Sequence, residues 1–160
     1  MAQNNLGTII IIANARWRGG LSGGDNIYLN FARYWGECEV WDMMDTDFKP
    51  FWLCYLYRIW AGCVHALRTQ RRYAFVYSAS DFLMDSIPAL ILKLKGNKWA
   101  AGYYMHAPKK MSLYWILQQV VRFYTNRWAD VTLVTNESMF KDSPGRKFIA
   151  VHGGVNLEEI

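Results

Sequence analysis

The segment Asn14-Ala-Arg-Trp-Arg-Gly-Gly-Leu-Ser-Gly-Gly-Asp-Asn26 holds four glycines, two arginines and an acid–amide pair. Glycines let backbone amides come close to a ligand. A helix that starts just beyond them adds unpaired N–H groups and the positive end of its dipole. The chemistry such a loop suits is phosphate binding, with the amides of Gly19, Gly20, Gly23 and Gly24 able to approach the anion. It is not a nucleotide-binding P-loop, because no Gly-Lys-Ser/Thr follows. Nor is it a dinucleotide fingerprint, because Gly20-Leu-Ser-Gly23-Gly24 has the wrong spacing. Ser22 or Asp25 acting as a helix cap is the plainer reading, but four glycines exceed what a cap requires.

Two further polar clusters have chemical potential. His106, within Met105-His-Ala-Pro-Lys-Lys110, has an imidazole followed by two ammonium groups, able to meet a sugar hydroxyl or a phosphate. A lone His is often structural; its place after a strand favours function. In Thr135-Asn-Glu-Ser138, a capping role for Asn136 or Ser138 explains the residues as well as a ligand does. Cys38, Cys54 and Cys63 form no CxxC and share no ligand spacing with His, so no metal is expected.

The elements that must position these groups alternate between two hydrophobic periods. Thr8–Ala13, Glu39–Met43, Tyr73–Ser78, Trp99–Met105, Val131–Thr135 and Phe148–Val151 are short runs rich in β-branched and aromatic residues. Helical patterns separate them over about 24–34, after Pro50, over 81–94 and 112–128, and from about Glu137. In the second of these, Trp52, Tyr55, Leu56, Ile59, Trp60, Cys63, Val64 and Leu67 form a wide apolar stripe; in the plainer reading it faces the sheet, and an exposed remainder would mark lipid, a lipid-linked acceptor or a further domain. Strand and helix alternating at this spacing predict an α/β domain: a Rossmann-like, doubly wound parallel sheet of about six strands with helices on both faces. Ligands bind such sheets beyond the carboxyl ends of the strands. The loops after strands one, four and five are therefore the expected site.

Composition narrows the class without choosing a ligand. With 160 residues, 52% of them hydrophobic, the chain suits one well-buried domain. The net charge of +5 is spread over small clusters, which fits an acidic partner: phosphate ligand, anionic lipid or nucleic acid. The cysteines read as reduced thiols, favouring a cytoplasmic setting. No run is long enough to span a bilayer. The segment Phe48–Tyr73 sets Trp52, Tyr55, Tyr57 and Trp60 beside Lys49, Arg58, Arg68, Arg71 and Arg72, a composition suited to lying on anionic lipid at the cytoplasmic membrane face.

In order and spacing the motifs resemble the N-terminal domain of family 4 (GT4) glycosyltransferases of the GT-B fold. The resemblance rests on the first strand with its GGxSGG loop and helix, Val76-Tyr-Ser-Ala-Ser-Asp81 followed by Pro88, Met105-His-Ala-Pro108, Asp130-Val-Thr-Leu-Val-Thr-Asn-Glu-Ser138, and the tail Ile149-Ala-Val-His-Gly-Gly-Val-Asn-Leu-Glu-Glu159. It spans nearly the whole chain. Gly153 departs from the family's usual Asn and Asn156 from its usual Asp, and the His common early in the first helix is absent.

The resemblance implies residues 1–152 as an acceptor-side domain and 153–160 as the start of a linker. A nucleotide-sugar domain would then follow, or come from a partner subunit. It implies metal-free transfer of a sugar from a nucleotide donor, with retention, to a glycan, lipid-linked or other hydroxyl acceptor, and no nucleic-acid partner. Gly23 and Gly24 would meet the donor phosphate, and His106 would act catalytically near the transferred sugar. Arg16, Asp25 and Asn26 would orient the acceptor. Two alternatives stand beside it: a non-catalytic, membrane-recruiting subunit of a split transferase, and another Rossmann-like, nicotinamide-dependent enzyme. Asp42 and Asp45 keep the latter open, although no acidic residue clearly closes the second strand in the expected setting.

Overall fold

A computed structural model of the chain describes residues 8–16, 23–35, 37–43, 45–46, 48–104, 111–135 and 147–151. The tail 153–160 lies outside them, as does the helix expected from Glu137. In order the elements are β1 (Ile9–Ala13), α1 (Gly23–Trp35), β2 (Cys38–Asp42), α2 (Phe51–Arg68), β3 (Phe75–Ser78), α3 (Leu83–Leu94), β4 (Trp99–Tyr103), α4 (Leu113–Trp128), β5 (Val131–Val134) and β6 (Phe148–Ala150). The strands form one sheet in the order β2-β1-β3-β4-β5-β6, and every pairing is parallel.

β1 is apolar at every position because it has neighbours on both edges and packing on both faces; all five residues are buried. Its side chains alternate between two cores. Ile9 and Ile11 meet Tyr28, Phe31 and Ala32 of α1. Ile10 and Ile12 join a cluster that includes Ala66 of α2, Ala89 and Leu92 of α3, and Val121 and Tyr124 of α4. This division follows from right-handed crossovers. β1 to β2 steps one way along the sheet and every later connection steps the other, which puts α1 on one face and α2, α3 and α4 on the opposite one.

Pro88 lies inside α3 and has no N–H to offer the carbonyl of Met84 four residues back. Asn14, just beyond β1, fills the vacancy: its Nδ2 donates to that carbonyl at 3.0 Å. Gly62 of α2 faces the same point. A Cβ there would stand 2.8 Å from both Asn14 Nδ2 and Pro88 Cγ. α2, α3 and the end of β1 therefore interlock where only a glycine fits.

That packing decides which part of the wide α2 stripe lies inward. Its buried stripe is Cys54, Arg58, Gly62 and Ala66, whereas Trp52, Leu56, Trp60 and Leu67 are 54–65% exposed. Small side chains allow α2 to lie close against α3, and the aromatic stripe is left outward. All three cysteines are free, with Cys54 buried. Among the described residues no helix is long and apolar enough to cross a membrane.

Candidate functional site

Strand order reverses between β1 and β3, so the crevice of the sheet opens between the loops that follow those two strands. This moves the centre of the expected site. The loop after β3 was not among those singled out, and with the first turn of α3 it brings the buried Asp81 and Asp85.

Two charged side chains grip the root of the glycine loop from opposite polarities. Arg58 of α2 is fully buried, and its Nη1 donates to the carbonyls of Asn14 at 2.8 Å and Arg16 at 2.7 Å. Asp85 of α3 is buried as well. Its Oδ1 accepts the N–H of Ala15 at 2.9 Å, the Asn14 N–H also bonds its carboxyl, and Oδ2 accepts the Ser80 hydroxyl. Carbonyls are thus held by a cation and amides by a carboxyl, fixing the direction in which the chain leaves β1.

Burial pushes the Asp85 carboxyl up to about 7, with nearby Asp81 adding to the rise, against the lowering effect of the Ser80 hydroxyl and the Ala15 and Asn14 amides. A carboxyl that titrates near 7 when folded and near 4 when unfolded keeps its proton longer in the native state. Between those values the native state binds more protons, so stability falls as pH rises through the window. The wild-type chain is expected to lose on the order of 3 kcal/mol from this group between pH 4 and pH 8. Asp85→Asn retains an acceptor for Ala15 and should remove that slope. Urea midpoints measured across this range check it; identical profiles for the two proteins would refute it.

A second cluster lines the ends of β3 and β4. Asp81 is buried and accepts from Nε2 of Gln118 on α4. Tyr114, also on α4, hydrogen-bonds Asp81 and stacks on Phe82 with ring centroids 5.5 Å apart. Burial, then the charge of Asp81, push the Tyr103 phenol up to about 12, so it stays protonated at neutral pH. The hydroxyls of Tyr104 and Tyr77 share a short hydrogen bond, and Thr135 donates to the Tyr104 carbonyl at 2.8 Å. Tyr103 and Tyr114 therefore set two phenols beside the buried Asp81.

Of the residues singled out in the sequence, Gly23 and Gly24 open α1, whose N-terminus follows the loop from β1. Asp25 and Asn26 come next in the first turn of that helix. Arg16 stands at the clamped root with its guanidinium 6.0 Å from the ring centroid of Tyr28 on α1, within cation–π range. His106, Asn136, Glu137 and Ser138 lie outside the described residues. Asp42 is the last residue of β2 and pairs in register with Ala13, the last of β1; an acidic side chain does close the second strand. Among the described residues no group of three or more His, Cys, Asp or Glu side chains could hold a metal ion.

Asp81, Asp85 and Gln118 were not singled out as site residues, and Arg58, expected among the cations that meet lipid, is instead fully buried and holds the loop root. Arg58 gave a signal, a lone cation spaced four residues from Cys54 and Gly62 on what became the buried stripe. Asp81 and Asp85 gave another, two carboxyls four apart at the start of an otherwise apolar helix. Comparison with protein-family models, curated proteins and solved structures finds no match to the chain.

Proposed function

We propose that this chain is the acceptor-side half of a retaining glycosyltransferase, facing a nucleotide-sugar domain that supplies the remaining donor contacts. The observation that carries the proposal is the start of α1. Gly23 and Gly24 are its first two residues, they come after an interior strand of a parallel sheet, and Arg58 and Asp85 clamp residues 14–16 where the chain leaves that strand. Unpaired amides at a helix N-terminus suit a diphosphate that gains negative charge as it departs. The ordered motifs of the sequence support the same class. In this reading His106 lies near the transferred sugar, and Arg16, Asp25 and Asn26 orient the acceptor hydroxyl. No general base and no metal is required.

The test is a titration of the isotope-labelled chain with UDP-glucose or GDP-mannose, followed by amide resonances. Those of Gly23 and Gly24 are expected to move with either nucleotide sugar and to stay put with uridine or guanosine. Resonances indifferent to all four compounds overturn the proposal.

Asp42 favours a second reading. A carboxylate at the end of β2, level with the end of β1, is where a dinucleotide-binding sheet holds ribose hydroxyls. The long, irregular glycine loop weighs against it. NADH binding that Asp42→Asn abolishes would select this alternative over the transferase.

A further inference from the structure

Two helices on one side of the sheet leave large apolar side chains in solvent. On α2, Phe51, Trp52, Leu56 and Trp60 are 54–61% exposed. Phe48 and Trp60 both pack on the exposed Tyr57, with ring centroids 5.7 and 5.9 Å away, so the rings form a continuous cluster. On α4, Leu113, Ile116, Val120 and Phe123 are 43–73% exposed. Their spacing of three, four and three residues makes them one stripe along the helix. Scattered surface hydrophobics need no explanation, but contiguous ones mark a surface that is covered in use.

Charge indicates what covers it. Neither Phe51–Arg68 nor Leu113–Trp128 contains an Asp or a Glu. Of the described Asp and Glu residues, Asp45 and Asp130 lie in loops flanking these helices, Asp81 beside α4 is buried, and the rest lie on α1, α3 or β2 or in other loops. Exposed cations border the apolar residues: Lys49 before α2, Arg68 at its end, Arg72 just beyond, and Arg127 continuing the α4 stripe. Trp and Tyr with basic flanks, on helices too short in apolar length to span, are suited to the headgroup boundary of a bilayer.

We infer that the α2–α4 side of the molecule docks on an anionic lipid surface. The aromatic side chains enter the interfacial zone, and Lys49, Arg68, Arg72 and Arg127 meet headgroup phosphates. Because all strands are parallel, α2 and α4 both begin at the carboxyl edge of the sheet. Docking therefore brings the β1/β3 crevice close to the bilayer. Where the transferase reading holds, and resting on it, the acceptor is a lipid-linked hydroxyl.

The experiment is vesicle flotation with the chain alone, comparing phosphatidylcholine vesicles with vesicles carrying phosphatidylglycerol. Binding is expected only to the latter, with weakening in high salt. The pair Arg68→Glu and Arg72→Glu should reduce affinity at least about tenfold, and so should the pair Trp52→Ser and Trp60→Ser. All four positions are exposed, so an unchanged circular dichroism spectrum and melting temperature serve as the folding control. Binding that ignores lipid charge or either pair of substitutions overturns the inference. So does absence of binding together with a concentration-dependent dimer that the Trp pair dissolves, which would assign the face to a second copy. No sugar donor is present in this assay, and no lipid in the nucleotide-sugar titration, so either proposal can fail without the other.

Discussion

Arg58→Ala is expected to cost the fold about 3–5 kcal/mol, from the loss of two charge-assisted hydrogen bonds worth about 1.5–3 kcal/mol each and the opening of a cavity. The guanidinium is fully buried and bonds two main-chain carbonyls. Truncation opens a cavity at its place and takes a donor from Asn14, which has no exposure to water. Arg58→Met separates the contributions: it refills the volume and supplies no donor, so it should recover only the packing share. Urea denaturation measures both variants. A loss under about 1 kcal/mol for Arg58→Ala would mean that the loop root is held by something other than this side chain.

Under the proposed transferase function, Gly24→Val in a protein that also carries the nucleotide-sugar domain is expected to lower sugar transfer at least about 100-fold, the typical effect of losing one well-placed donor to developing charge. Gly24 is the second residue of α1, and in the proposed site a side chain there would obstruct the approach of the diphosphate. Stability should hardly change, because valine costs a helix no more than the glycine it replaces. His106→Ala should reduce turnover more than nucleotide binding, since the sugar and not the base is its neighbour in the proposed site. A dinucleotide-dependent enzyme gives the opposite pattern, with cofactor binding lost in Gly24→Val and His106→Ala without effect. Full transfer by a folded Gly24→Val protein would reduce the loop to a helix cap.

Much of the architecture was legible because the signals are local. The β-branched runs became β1, β3 and β5 within two residues at each end, and Ser112 caps α4 by accepting from the Trp115 N–H at 3.1 Å. The face of α2 was not legible. Period 3.6 marks a helix, but it does not say which stripe is inward when the partner helix demands small residues. The clamp was hidden for a different reason: Arg58 and Asp85 act on a loop 44 and 70 residues away in sequence. Strand order is likewise non-local. With reversal between β1 and β3, the loop after β3 became central, and Ser80, Asp81 and Asp85 entered the site with it.

The position of β1 also bears on synthesis. The first strand of the chain is an interior strand, bordered by β2 and by β3, and its second edge stays open until Phe75–Ser78 has been made. At ribosomal rates of about 5–20 residues per second, that interval is on the order of several seconds. For that time an uninterrupted Ile9–Ile12 run, free of charge and proline, has the makeup of a self-associating segment. Pairing with β2 covers one edge early, while the other waits for a partner that comes only after all of α2. Yield of soluble protein should therefore depend on translation speed through α2 and on chaperones that shield extended apolar chain, more than on the final stability of the fold.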